Sequence, residues 1–445
     1  MKVTLKAKTD LSVSALASHA ARVCYSINPE TLNQPIDIKS RLFDPGHHTT
    51  LQHNYFTFFV EDIPVSAVLF GLHLTSPHYN SDQRSGRYSK MYNEPDFDAL
   101  RQSLLAYYPD APADKIMDWV KKGVQIYRDN IDRLTELAGA HIKAERPFVN
   151  EKYISQNAPK IAQEQLRVFI SQIAPTALDF TVDLSALTAL YRVAWSPEMR
   201  LATEQMANVI VSENPEIGYM FNAEKRATKW SPKILSYQAE VAVEPTAKVL
   251  AVVGDESIVN TTPLSDSLDT LPFTPDTMNN SQFLVQSEVV CSCATFGQDQ
   301  RHRSLKRSSP SFTGAFYVPP LVAEAGLTET ARAYMQEWLD LAKESNDVAT
   351  LVSPYGAMVK YQKTGDLNAL VHEQAKRTCW CAQEEIYHLS VALREVLAEM
   401  PEAKELLSVL APPCFVCGKC QEGARYCGRD IKGTKPEDYF PTRKI

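Results

Sequence analysis

The chain has 445 residues, a formal net charge of −7, 44% hydrophobic and 22% charged residues, and nine cysteines. Such a composition excludes a disordered polymer and gives room for roughly two to four domains with sizeable cores. The uncharged stretch between Asp62 and Asp82 contains Pro64, His73, Pro77, His78 and Asn80 and is unsuited to a bilayer, and the opening MKVTLKAKTD has no apolar signal region. A cytoplasmic location, no membrane and no chain-wide nucleic-acid footprint are expected. An odd cysteine count in such a chain argues against a disulfide framework.

In chain order, residues 55–74 (YFTFFVEDIPVSAVLFGLHL) read as strand, being rich in aromatic and β-branched side chains. From Asp96 to Ala144 apolar residues recur every three or four positions (Leu100, Leu104, Ile116, Trp119, Val120, Val124, Tyr127, Ile131, Leu134), which predicts helix. Residues 226–281, with clusters of Pro, Ser, Thr, Asp and Asn, read as loop and as the place for a domain boundary. A helix is predicted over 385–400, with Ile386, Leu389, Leu393, Val396, Leu397 and Met400 on its core face.

The halves resemble each other. Laying Ser85 over Ser311 brings Phe70-Gly71 onto Phe296-Gly297 without a gap, and further on Asp183-Leu-Ser-Ala-Leu187 falls on Asp366-Leu-Asn-Ala-Leu370. The order of these matches points to a duplicated domain, with a helical insertion of about 95–150 in the first copy. The expected organisation is a first repeat over 1–235, a second over 236–410 and a Cys-rich tail over 411–445.

Arg301-His-Arg303 is followed by seven residues and Ser311, and preceded by Gln298. Two guanidiniums and an imidazole in sequence suit an anionic ring system or a phosphate, although the same residues with Lys306 and Arg307 also suit a solvated basic loop. Cys414, Cys417, Cys420 and Cys427 lie within fourteen residues, with Gly418, Gly423 and Gly428 for tight turns. That spacing fits tetrahedral zinc and only partly fits the runs that hold iron–sulfur clusters, so a structural zinc and a cysteine cluster without a bound metal are both open readings. Cys291, Cys293, Cys379 and Cys381 read as small buried residues, with a redox or metal role for the last two left open.

The RHR-x7-S pattern resembles the signature of the flavin-dependent thymidylate synthase family, and other landmarks follow in that family's order. Ala21-Arg-Val-Cys-Tyr25 is similar to its early ARVSY, and Gly46-His-His-Thr-Thr-Leu-Gln-His53 to its GHxSxxEH segment, with Gln52 replacing the glutamate. Ser85-Gly-Arg-Tyr88 resembles SxRY, and Gln165 to Ile170 resembles ARxxLP. Asp366 to Arg377 and Ala382-Gln-Glu-Glu-Ile386 resemble the closing N-x-R-x-L and H-A-Q-x-E-I, with Cys381 in place of the histidine.

The resemblance implies two tandem α+β domains, each a β-sheet covered by long helices. It implies FAD as cofactor and transfer of a one-carbon unit from methylenetetrahydrofolate to C5 of dUMP, giving dTMP, with NADPH as reductant. Arg377 and Arg301 would be catalytic. Ser85, Arg87, Tyr88, Arg167, Gln298, Ser311 and Arg377 would bind the nucleotide. His47, His53, Arg301, His302, Arg303, Asp366 and His372 would face the cofactor. The first repeat has Thr75-Ser-Pro77 where the triplet should stand and Ala194 at the nucleotide arginine; the second has Thr313 and Thr350 at two arginine positions. These losses are complementary, so residues of both repeats are expected to complete one site, in a homodimer that mimics the family's tetramer. A methylase or hydroxymethylase of another pyrimidine nucleotide, and an inactive nucleotide- or nucleic-acid-binding homologue, are the alternatives.

Overall fold

The structure is a computed structural model that describes residues 1–445 except 75–78, 87–94, 227, 242, 256, 258, 260, 262–274, 424–425 and 436–437. The described chain forms two compact units. The first comprises Met1–Ser85, Asp98–Ala113 and Gln172–Ser231. Its sheet has strands β1 (Lys2–Lys8), β2 (Tyr55–Pro64), β3 (Tyr79–Gln83) and β4 (Pro175–Asp183), antiparallel throughout in the order β1-β2-β4-β3. Along β2 Phe56, Phe58 and Val60 point into the core while Tyr55, Thr57 and Phe59 are more exposed, the period-two signature of a half-buried strand. Helices Val13–Tyr25, Leu184–Val193 and Pro197–Glu213 supply Ala17, Leu187, Met199 and Met206 to that core.

The second unit comprises Gly86–Phe97, Asp114–Ser171 and Pro232–Ile445. Its strands are β5 (Lys233–Ile234), β6 (Glu240–Val241), β7 (Thr246–Val253), β8 (Leu284–Ser292), β9 (Lys306–Arg307), β10 (Ser311–Phe316) and β11 (Ala357–Asp366). They run in the order β7-β8-β11-β10-β5, with β6 also on β10 and β9 on β11. Read from one edge, β7-β8-β11-β10 repeats the order of the first sheet. In each sheet a long strand, β4 or β11, also leads directly into a helix with an aspartate cap. Asp183 accepts from the Ala186 N–H and Asp366 from the Ala369 N–H, both at 2.8 Å.

The α+β class and the helices over 97–107, 113–145 and 384–398 match the sequence reading. Three details differ. Residues 65–72 are helical rather than strand: Val65 through Leu72 are all buried, and a continuous apolar run carries no period by which to tell the two apart. The stretch read as loop contains β7, which pairs along β8 from Thr246 opposite Val290 to Val253 opposite Leu284. The Pro, Ser, Thr, Asp and Asn clusters of the stretch masked this strand, in which only Ala247 is buried. Residues 114–171, placed with the first half by sequence position, pack in the second unit. There Trp119 stacks on Tyr334 with ring centroids 4.5 Å apart and donates from Nε1 to the Tyr334 carbonyl at 3.1 Å.

Candidate active site

The Arg-His-Arg triplet is positioned by a buried polar framework. Ser292, the last residue of β8, caps helix Cys293–Asp299 by accepting from the Thr295 N–H. The helix ends at Asp299, 1% exposed, whose carboxylate receives Arg307 Nε at 2.5 Å, Lys363 Nζ at 3.1 Å and the Tyr361 hydroxyl at 2.9 Å. Lys363 also pairs with Glu373 at 2.6 Å. Burial pushes the Asp299 carboxyl up, but Arg307 and Lys363 overcome it and hold it well below the usual carboxylate range. Arg307, which in sequence also suits a solvated loop, is thus a buried tie: it also bonds the carbonyls of Asp299, His302 and Leu305, and so clamps the turn that carries 301–303.

Onto that turn Arg377, the last residue of helix Leu367–Arg377, donates from Nε to His302 Nε2 at 2.8 Å and from Nη2 to the Gln298 carbonyl at 2.7 Å. Because a guanidinium only donates, His302 Nε2 is unprotonated and the ring proton sits on Nδ1. Burial, then the Arg377 charge, holds the His302 pKa well below the usual imidazole range. His302 is therefore neutral, 4% exposed, and its Nδ1 has no hydrogen-bond partner among the described residues. His372 lies edge-on to it at 5.4 Å, its own pKa lowered by burial and by Lys376 and Arg377.

Arg301, His302, His372 and Arg377 line a cavity of about 600 Å³. Its other walls come from the helices Ala113–Glu145 and Glu151–Leu166, which end or pass there with Arg146, Lys160 and Glu164, and from Lys376, Cys379, Trp380, Cys381 and Glu422. Five cations against two carboxylates make it a site for an anion. Beside it Arg167, 5% exposed, donates from Nη2 to Gln383 Oε1 at 2.7 Å, and Gln298 Nε2 donates to the same oxygen at 2.6 Å. Arg167 Nε, Gln298 Oε1 and Gln383 Nε2 are buried with no partner among the described residues. Behind them Glu385 accepts from both the N–H and hydroxyl of Ser292, while burial and then the neighbouring Glu164 push the Glu384 carboxyl up to about 8.

The structure thus brings Arg167, Gln298, His302, His372 and Arg377 together, with Arg301 in the cavity wall and Arg303 in the same turn. Ser311 begins β10, opposite Lys360 of β11, and Asp366 is occupied as a helix cap. His47, His53 and Ser85 belong to the first unit, the two histidines exposed. Arg87 and Tyr88 lie outside the described residues. Gln383 and Glu384 stood within a quoted motif yet were not singled out, and Arg146 and Lys160 look in sequence like ordinary charges on a helix.

The zinc expectation is corrected. Among the described residues no group of three or more His, Cys, Asp or Glu is placed to hold a metal ion. Cys417 caps the short helix Pro413–Val416 and is exposed, whereas Cys414, Cys420 and Cys427 line a small apolar pocket shared with Cys379 and Cys381. The spacing is right for zinc, but Cys417 is exposed and does not line the pocket that the other three share.

The profile of the thymidylate synthase complementing protein family matches residues 8–216 and 281–402, and the chain belongs to that family. It is similar to a thymidylate synthase X from Helicobacter pylori, solved with FAD and dUMP: 16% identity over 50% of this chain and 98% of that one, TM-score 0.30. It is also similar to a UMP/dUMP methylase PolB from Streptomyces cacaoi bound with 5-Br dUMP, at 18% identity over 49% of this chain and 94% of that one, TM-score 0.32. No curated protein matches the chain. Among the described residues no helix is long and apolar enough to cross a membrane.

Proposed function

We propose that this chain is a FAD-dependent enzyme that transfers a one-carbon unit from methylenetetrahydrofolate to C5 of dUMP, with NADPH as reductant. The observation that carries the reading is the neutral, buried His302 held by Arg377 in the wall of a cationic cavity, within a chain of this family. The residues fit the cofactor: five cations answer its anionic groups, and the Nδ1–H of His302 is a buried donor still without an acceptor. Arg301, His302, Arg303 and His372 would hold it. FAD, when bound, supplies the redox and one-carbon chemistry that no side chain here provides. Arg377 would stabilise negative charge developing on the uracil ring, a role in which a pre-positioned donor in a water-poor site is strongest. Arg167, its guanidinium already oriented by Gln383, would bind nucleotide together with Gln298. Ser85, Arg87, Tyr88, Ser311, His47, His53 and Asp366 are assigned to the same ligands by resemblance alone, the last against its occupation as a cap.

We also read the chain as a tandem duplication acting as a cytoplasmic homodimer. The shared strand order and the matched caps Asp183 and Asp366 support the duplication. The test of the function is incubation of the full chain with FAD, NADPH, methylenetetrahydrofolate and 5-tritiated dUMP. Tritium release with formation of dTMP supports the proposal. A hydroxymethyl product moves the chain to the related hydroxymethylase reaction, and retained tritium with no product overturns both.

A further inference from the structure

Cys379 and Cys381 follow directly on helix Leu367–Arg377 and stand in the cavity wall beside Arg301 and Arg377, where the proposed function leaves them unused. The backbone N–H of Cys381 donates to Cys379 Sγ at 3.5 Å. Cys379 is therefore the acceptor of a backbone donor two residues on, which favours its thiolate. Both residues are partly exposed, unlike Cys291 and Cys293, which are sealed in the sheet. The cavity onto which they open carries Arg146, Lys160, Arg301, Lys376 and Arg377 against Glu164 and Glu422, so an anion arriving there meets attraction as well as a nucleophile.

We propose that Cys379, presented by Cys381, is a nucleophilic thiol that captures anionic carbon electrophiles admitted by this cavity. The class of ligand is a carboxylate- or phosphate-bearing molecule with an electron-poor carbon. In the capture the Cys379 thiolate gives its lone pair to form the S–C bond. The displaced pair leaves with the departing group, as iodide from a haloacetate, or moves into a conjugated carbonyl as an enolate when the carbon is unsaturated. Cys381 keeps its proton throughout, and no oxidant is needed. The Cys381 hydrogen bond brings the Cys379 thiol down to about 7 against the burial that pushes it up, and Cys381 itself is pushed high. Burial pushes Cys414 up to about 12, so it does not compete.

The experiment compares iodoacetate with iodoacetamide on the reduced full chain at low ionic strength, locating each modified cysteine by peptide mass mapping and using glutathione as the reference thiol. Cys379 is expected to react ahead of the other eight. Its iodoacetate-to-iodoacetamide rate ratio should exceed that of glutathione by about tenfold or more and fall towards it in high salt. Lys160→Ala, at an exposed position, should lower the iodoacetate rate and leave the iodoacetamide rate unchanged. Cys381→Ala should slow both reagents. First reaction at the exposed Cys24 or Cys417, or a Cys379 that shows the glutathione ratio, overturns the proposal, and both readings come from the unmutated chain.

Discussion

Arg377 donates its Nε proton to Nε2 of His302 at 2.8 Å, a contact between residues 75 positions apart that sets both the tautomer and the charge of the imidazole. Burial would by itself disfavour the imidazolium, and the adjacent guanidinium adds like-charge repulsion.

Replacing Arg377 by Ala should therefore raise the His302 pKa, observable by NMR titration of its ring protons. Turnover in the tritium-release assay should fall by about 10²–10³-fold, the usual loss when one pre-positioned donor to a developing anion is removed. An unchanged His302 titration would show that the contact does not set its charge.

The Asp299–Arg307–Lys363–Glu373 framework should respond as a buried ion network does. Lys363→Met leaves Asp299 and Glu373 buried with one cation fewer between them. It should destabilise the chain by about 3–5 kcal/mol, read from urea denaturation. A loss within about 0.5 kcal/mol, the range of a surface substitution, would mean that the network is not closed in solution.

Glu384 makes a pH signature. Its carboxyl, raised to about 8 by burial and by Glu164, keeps its proton in the folded chain while the unfolded chain loses it near the ordinary glutamate value. The folded state then binds more protons, so this group's contribution to stability is complete at acid pH and is lost as pH rises through the folded value. The slope is at most about 1.4 kcal/mol per pH unit. Glu384→Gln should flatten the decline between roughly pH 5 and 8 in denaturation curves; a parallel curve would contradict the assignment.

Gly123 lies where a Cβ would strike the Phe169 carbonyl and the Tyr334 hydroxyl. Gly123→Ala, favourable for an isolated helix, should here cost about 1–3 kcal/mol because the helix must move off its neighbours. Stabilisation instead would show that the helix has slack at this point.

These cases also mark what was legible in the sequence. β2 announced itself because alternate residues differ in polarity, and the helix Ala113–Glu145 because its apolar positions keep one period. The triplet, Gln298, Arg167 and Arg377 were found because their order follows a family pattern. What stayed hidden depends on contacts between distant positions. Arg307 looks like the residues beside it until Asp299 is seen against its guanidinium, and Arg146 and Lys160 become cavity residues only when the helices carrying them pack in the second unit. Asp366 illustrates the opposite case: a motif position whose side chain the fold uses to cap a helix. The cysteine tail has metal-ligand spacing, but spacing does not say which way each thiol points.

The most direct measurement is FAD binding by the purified full chain and by the double variant Arg301→Ala/Arg303→Ala, followed through flavin absorbance and fluorescence titration. The account predicts a flavin bound by the unmutated chain and weakened by about a hundredfold or more in the variant, since each lost charge-assisted contact is worth about 1.5–3 kcal/mol. A chain that binds no flavin, or a folded variant that binds it equally well, would contradict the assignment of this cavity.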